Sequence, residues 1–267
     1  MNRSGTVPMA ILFAFCFQVA VASAQEFKPV WGVTAFGGPQ REGKQDDAHG
    51  IGGVELLGLA PLGQRLGVQG GFYLAGGRAF RFGVSGGPVF NFPSAKAGLF
   101  VDYEHREYRD GDFAAIRGSW ASYFSKYNLE LGYSQPVSPI QKSGGVKQAA
   151  INQLQGLLRF FPTQMLEFNA GMLLNSFAGP LRHENGGMGV GGILGFSFMP
   201  FEPLVINIVQ AQFDNRERYK VTSSIQLAFG STLQEWRKEN VAMPTGGSAG
   251  GITTKKPKRC PDFPYCE

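Results

Sequence analysis

Residues 221–229, V-T-S-S-I-Q-L-A-F, alternate between two kinds of side chain. Successive residues of a β-strand point to opposite faces, so alternate positions share a face. One face holds Val221, Ser223, Ile225, Leu227 and Phe229, and the other holds Thr222, Ser224, Gln226 and Ala228. The pattern predicts a strand with one apolar and one polar side.

The same alternation recurs from residue 30 onward, in segments of about ten residues separated by turn signals. The predicted strands cover residues 30–36, 52–60, 66–74, 79–92, 96–104, 116–124, 127–134, 150–160, 166–174, 188–198, 204–213 and 221–229. Connections after the odd-numbered strands include most of the long polar loops, and the others are short. In 204–213, Ile206 and Ile208 lie opposite Val205 and Val209, which indicates a bulge or a patch buried on both faces.

This pattern resembles bacterial outer-membrane β-barrels, whose strands carry apolar residues on the outside. Residues 221–229 resemble the last strand of these barrels, which ends on an aromatic residue and serves as an assembly signal. The resemblance covers most of residues 28–229 and points to no specific family. It implies an all-β, antiparallel transmembrane β-barrel of about twelve strands in the cell outer membrane. Outer-membrane lipid and the barrel assembly machinery would be its partners. A soluble β-sandwich or lipocalin-type barrel is the alternative, since both also alternate.

Composition favours the membrane interpretation. Charged residues make up only 17% of the chain, which is low for a soluble surface, and the mean hydropathy of −0.10 fits averaged apolar and polar faces. After residue 24 there is no apolar run of about 18 residues, the length that a spanning helix needs. Aromatic residues cluster near predicted strand ends, as interfacial girdles require.

The net charge of +5 forms no basic stripe, so nucleic acid is not an expected partner.

Both ends of the chain depart from the strand pattern. Arg3, an apolar run over 9–21 and Ala22-Ser23-Ala24 predict a signal peptide over 1–24, so that the barrel occupies 25–229. Residues 230–267 are predicted to be a flexible periplasmic tail. Cys260 and Cys266 form an even pair in an exported chain and predict a disulfide. The tail either binds a periplasmic partner or is solvated without one.

Charged residues on the polar faces are predicted to point into the lumen, because a charge at lipid-facing depth costs roughly 2–4 kcal/mol. The cations are Arg81, Lys96, Arg117 and Arg159, and the anions are Glu55, Asp102, Glu104, Glu130 and Glu167. These side chains could set the selectivity of a narrow pore. They could also pair with each other and fill the barrel. The nearly equal signs leave both possibilities open.

The leading functional hypothesis is a passive pore for small polar solutes, with selectivity set by Arg81, Arg117, Arg159, Glu130 and Glu167. The alternative is a structural or interaction barrel with a plugged lumen that acts through its loops or tail.

An envelope lipid-modifying enzyme is the third hypothesis. His49, His105 and His183 lie in predicted loops or at a strand end, and the H-x-S pattern of outer-membrane phospholipases does not occur. No metal site or cofactor is expected, since the histidines lack ligand spacing and the glycine pairs do not form a phosphate loop.

Overall fold

A computed structural model describes residues 28–41, 47–107, 111–138, 141–143, 146–176, 188–215, 217–229, 232–239 and 252–255. In chain order the strands are β1 (Val30–Arg41), β2 (His49–Pro61), β3 (Leu66–Gly76), β4 (Arg81–Phe92), β5 (Ala95–Arg106), β6 (Gly111–Tyr123), β7 (Tyr127–Pro136), β8 (Gln141–Ser143), β9 (Val146–Ala150), β10 (Asn152–Thr163), β11 (Leu166–Ser176), β12 (Met188–Phe201), β13 (Leu204–Asp214), β14 (Tyr219–Phe229) and β15 (Ile252–Lys255). A short helix, α1 (Leu233–Glu239), follows β14. The predicted signal peptide, Cys260 and Cys266 lie outside the described residues.

Twelve of these strands form one closed antiparallel barrel. Each barrel strand pairs with the next, and β1 pairs with β14 from Trp31–Phe229 to Arg41–Tyr219, which closes the wall. The predicted fold class and number of strands are confirmed. Most strands are longer than predicted, because backbone pairing continues beyond the regular alternation. For example, β6 begins at Gly111 rather than at residue 116, and Gly111 pairs with Arg106.

The outward faces of the strands carry a belt of apolar side chains. Val101 and Met172 are each 62% exposed, and Leu99 and Leu194 are about half exposed. An apolar surface this extensive is stabilised by hydrocarbon rather than by water. The alternative of a soluble barrel does not account for it. No helix among the described residues is long and apolar enough to cross a membrane.

The two ends of the barrel differ in their connections. At one end, the turn end, short turns at 62–65, 93–94, 124–126, 164–165 and 202–203 join the strands, and the barrel wall begins and finishes there. The opposite end, the loop end, carries the remaining connections, including β8 and β9. β15 pairs with β9 at this loop end. In outer-membrane barrels the short turns face the periplasm.

Aromatic pairs lie at both ends of the wall. At the turn end, Trp31 stacks on Phe229 with ring centroids 4.2 Å apart, and Phe124 stacks on Tyr127 at 4.4 Å. Near the loop end, Phe82 contacts Tyr103 at 6.0 Å. Aromatic girdles of this kind mark the two membrane interfaces of outer-membrane barrels. The predicted clustering of aromatic residues near strand ends is confirmed.

A β-bulge interrupts β13, which is one of the two possibilities that its mixed faces indicated. Asn207 pairs with Ser224 and Gln210 with Thr222, so two residues of β13 lie opposite Ser223 alone. The Ser223 hydroxyl donates to the Ile208 carbonyl oxygen at 2.6 Å. The extra residue shifts the alternation, which explains why apolar residues of this segment fall on both faces of the pattern.

Helix α1 folds within the segment that the sequence pattern assigned to a flexible tail. The Thr232 hydroxyl accepts from the Glu235 amide at 3.3 Å, and Glu235 Oε2 accepts from the Thr232 amide at 3.1 Å. This reciprocal pair is a capping box. Leu233 and Trp236 are three positions apart and therefore share a face, and both are fully buried. The prediction of a tail missed this helix, because its T-x-x-E start lies outside the strand pattern.

Candidate functional site

The structure places the nine charged residues predicted for the lumen on the inner wall. Successive residues of a strand point to opposite faces. The neighbours of these nine residues face outward, so the nine charged side chains face the lumen. Glu55 is half-buried. The other eight are at most 9% exposed: Arg81, Lys96, Asp102, Glu104, Arg117, Glu130, Arg159 and Glu167. Their position is therefore as predicted, whereas their role in selectivity stays a prediction.

One group of interior charges joins β4, β5 and β6. Arg117 Nε donates to Asp102 Oδ2 at 2.8 Å, and Arg117 Nη2 donates to Asp102 Oδ1 at 3.3 Å. The Ser85 hydroxyl also donates to Asp102. The Arg117 guanidinium lies 4.4 Å from the centroid of the Phe100 ring, in the geometry of a cation–π contact. Arg117 is therefore neutralised and held against the wall.

A second group joins β7, β10 and β11 to helix α1. Arg159 donates to Glu130 Oε1 at 2.6 Å and to Glu167 Oε1 at 2.5 Å. Arg237 of α1 donates to the other oxygen of Glu167, Oε2, at 2.7 Å. Asn169 also donates to Glu167, at 2.9 Å. Glu167 is completely buried between two guanidinium groups, which suits a carboxylate that has lost its water.

The sequence pattern predicts the members of this group that lie on the barrel wall, but it does not predict Arg237 of α1. Arg159, Glu130 and Glu167 stand on polar faces of predicted strands. Arg237 lies in a segment without strand alternation, so the strand pattern cannot place it. The capping residues Thr232 and Glu235 were the available signal for a helix at this position.

Helix α1 fills the turn-end mouth of the lumen. Trp236 and Leu233 join one apolar cluster with inward side chains, most of them near the turn end: Val30, Leu59, Val89, Phe100, Phe161, Met199, Val205 and Ala228. Gly32 permits the close approach of the indole, because a Cβ at this position would lie 2.6 Å from Trp236 Cη2. Gln234 Nε2 donates to the Ser125 carbonyl oxygen at 2.9 Å. The helix is thus packed and hydrogen-bonded across the mouth.

A cavity of about 90 Å³ lies inside the barrel against α1. Trp236 and Arg237 contribute one boundary, and inward side chains of β1, β2, β7, β10, β12, β13 and β14 contribute the rest. The lumen therefore contains a polar space in contact with the helix.

The two histidines among the described residues, His49 and His105, lie in separate hydrogen-bonded groups. His49 Nε2 lies 2.9 Å from Gln40 Nε2, and His105 Nδ1 lies 2.9 Å from Asp112 Oδ1 at an exposed position. His183 lies outside the described residues. Within the described part of the chain, no group of three His, Cys, Asp or Glu side chains could hold a metal ion.

Solved structures support the fold. No protein-family model matches the chain, and no curated protein sequence does. The KdgM porin superposes with a TM-score of 0.50 at 10% identity, over 75% of this chain and 99% of the porin. A structure described as "Unveiling the Mechanism Behind the in-meso Crystallization of Membrane Proteins" superposes with a TM-score of 0.60 at 11% identity, over 85% of this chain and 99% of that one. At these identities the likeness shows the fold alone.

A sheet can span hydrocarbon only when no edge leaves backbone groups unpaired, and bacterial outer-membrane barrels meet this condition by closure. Pairing of β1 with β14 closes this wall. The apolar belt faces outward and the charges face inward. The chain is therefore a bacterial outer-membrane β-barrel and lies in the cell outer membrane.

Proposed function

We propose that the protein is an outer-membrane channel for small polar solutes, and that helix α1 holds it closed in this structure. The observation that carries the proposal is the position of α1. The helix occupies the turn-end mouth of a barrel whose inner wall is polar. The superposition on the KdgM porin is consistent with this proposal and supports only the fold part of it.

The barrel wall does not depend on α1 for its closure. The ladder between β1 and β14 pairs nine residues of each strand. Displacement of the helix would therefore leave the sheet closed and would open space inside it. A wall with polar inward faces can then conduct water and polar solutes.

Helix α1 is suited to displacement. It has seven residues, and isolated helices shorter than about 12 residues are marginal in water. Its place in the mouth depends on the Trp236 and Leu233 contacts and on a few polar anchors, including Arg237 to Glu167 and Gln234 to Ser125. Loss of one of these polar contacts should therefore make the helix leave the mouth more often.

A passing solute would meet interior charges that already neutralise each other. Arg117 is tied to Asp102, and Arg159 is tied to Glu130 and Glu167. The lumen would then favour small polar solutes over ions of either sign, with Arg81, Arg117, Arg159, Glu130 and Glu167 shaping the local field.

The test is liposome swelling in isosmotic arabinose with the protein made as residues 25–267 and with two variants. Arg237→Ala removes the anchor to Glu167, whereas Lys238→Ala removes a cation from the same turn of α1 and leaves that anchor in place. We expect faster swelling for Arg237→Ala and wild-type rates for Lys238→Ala. Equal rates for folded samples of all three proteins would contradict the proposal.

A closed structural or interaction barrel is the second candidate, and the paired interior charges favour it. Buried carboxylates and guanidinium groups that bind each other can fill a small barrel. This candidate differs in one outcome: the barrel would stay impermeable after α1 is released, and substitutions in its loops would alter its activity instead.

A further inference from the structure

Half of the side chains that border the lumen cavity beside α1 are uncharged hydrogen-bonding groups. Its neutral polar lining consists of Thr34, Gln155, Asn207, Gln210, Gln212, Thr222, Ser224 and Gln226. An amide offers both donors and an acceptor, and so does a hydroxyl group. A ligand surrounded by such groups needs to donate and accept at several atoms, which is the property of a molecule with several hydroxyl groups.

The charged groups at the cavity balance each other. Two carboxylates, of Glu55 and Glu130, and two guanidinium groups, of Arg159 and Arg237, border it. Arg159 is bonded to Glu130, and Arg237 is bonded to Glu167. The site therefore offers strong hydrogen-bonding atoms and little net charge, so an ion of either sign gains little Coulomb energy to offset its desolvation.

Apolar groups complete the boundary. Trp236 of α1 contributes an aromatic surface, and Leu57, Leu157 and Ile193 contribute aliphatic ones. Pockets that combine apolar surface with a few placed polar groups are typical of small-molecule sites. The apolar part fits the C–H surface of a carbon chain or ring whose hydroxyl groups reach the amides.

We propose that this cavity is a binding subsite for a small uncharged polyol. The inference rests on the proposed channel function, because it names the class of solute that the lumen would take. The volume of about 90 Å³ sets the size. It admits only a small molecule, and we assign a polyol of three or four carbons. A larger saccharide would fit only after α1 moves.

Trp236 provides a binding signal that does not require transport. In a chain with Trp31→Phe and Trp120→Phe, Trp236 is the remaining tryptophan, since the sequence contains three. Its emission would be titrated with erythritol, with glycerate as an anion and with 2-amino-1,3-propanediol as a cation, in detergent. We expect a saturable change with erythritol and at least about tenfold weaker responses to the two charged compounds.

Two substitutions test the site itself. Gln212→Leu together with Gln226→Leu should weaken erythritol binding about thirtyfold, since each lost hydrogen bond costs about 1 kcal/mol and each 1.4 kcal/mol is a factor of ten. Gln135→Leu is the control, because Gln135 lies outside the cavity and bonds to Tyr133 on the exposed face. Heat-modifiable gel migration verifies folding of each variant. No saturable response, an equal response to all three compounds, or unchanged binding in the folded double variant would overturn the inference.

The outcome separates this inference from the proposed function. Saturable erythritol binding in a barrel that never admits arabinose would contradict the channel and retain the subsite. Arabinose entry without selective erythritol binding would contradict the subsite and retain the channel.

Discussion

Arg237 of α1 donates to Glu167 Oε2 of β11 at 2.7 Å, although the two residues are 70 positions apart in the chain. Arg159 of β10 binds the other oxygen of the same carboxylate. One buried carboxylate thus connects the helix in the mouth to the ion pairs of the wall. Helix α1 and the interior charges Arg159 and Glu167 therefore belong to one network.

Glu167→Gln should destabilise the folded barrel strongly. The change leaves Arg159 and Arg237 without their shared anion, and removal of one member of a buried ion pair costs about 3–5 kcal/mol. The free energy of unfolding from liposomes in urea measures the effect. Glu202→Gln, at an exposed turn-end position, is the matched control and should change little. Equal stabilities of the two variants would show that the network contributes nothing.

Asp102 and Arg117 should behave as a coupled pair. Asp102→Asn leaves Arg117 without its carboxylate partner, and Arg117→Met leaves Asp102 buried without a cation. The double variant should be less destabilised than the sum of the two single variants, with a coupling of about 0.5–3 kcal/mol. A double-mutant cycle on urea unfolding gives this value. Additive effects of the two substitutions would show that Asp102 and Arg117 do not stabilise each other.

Leu99→Arg should impair insertion much more than Leu62→Arg. Leu99 lies on the outward face of β5, whereas Leu62 lies in a turn beyond the wall, and both are more than half exposed. A lipid-facing arginine near the bilayer midplane costs roughly 2–4 kcal/mol, and the cost falls near the interfaces. Folding yield into liposomes, followed by heat-modifiable migration, measures the difference. Similar yields would place the apolar belt outside the hydrocarbon.

β15 should be found at the loop end, opposite α1. Thr253 pairs with Ala149 of β9, so Thr253→Cys and Ala149→Cys should form a disulfide on mild oxidation. Cys260→Ser and Cys266→Ser remove competing thiols. The control pair, Thr253→Cys with Gln164→Cys, puts the second thiol at the turn end and should stay reduced. A disulfide in the control pair and none between positions 253 and 149 would place β15 at the turn end, on the periplasmic side that the sequence predicts for the tail.

Strand alternation made most of the fold predictable. In segments such as 127–134, each outward residue faces lipid and each inward residue faces the lumen, so one pattern determines the strand and its orientation. The bulge near Ile208 was also visible, as a break in the pattern. The pairing of Arg117 with Asp102 was not predictable, because it depends on the register of neighbouring strands.

The position of α1 in the turn-end mouth could not be inferred from the strands. The position of α1 depends on packing of Trp236 against Gly32 and on an ion pair between distant parts of the chain. A seven-residue helix also gives little periodic signal. For this reason the sequence left the plugged barrel open as an alternative to the passive pore.

The most direct test of the account is single-channel conductance of Trp236→Ala in a planar bilayer, beside Trp31→Ala and the unmodified protein, each made as residues 25–267. Trp236 is buried at the centre of the α1 contact, whereas Trp31 faces outward and is 56% exposed. We expect frequent, long conductance steps for Trp236→Ala and rare steps for the other two proteins. A folded Trp236→Ala barrel that is as silent as the unmodified chain would contradict closure by α1.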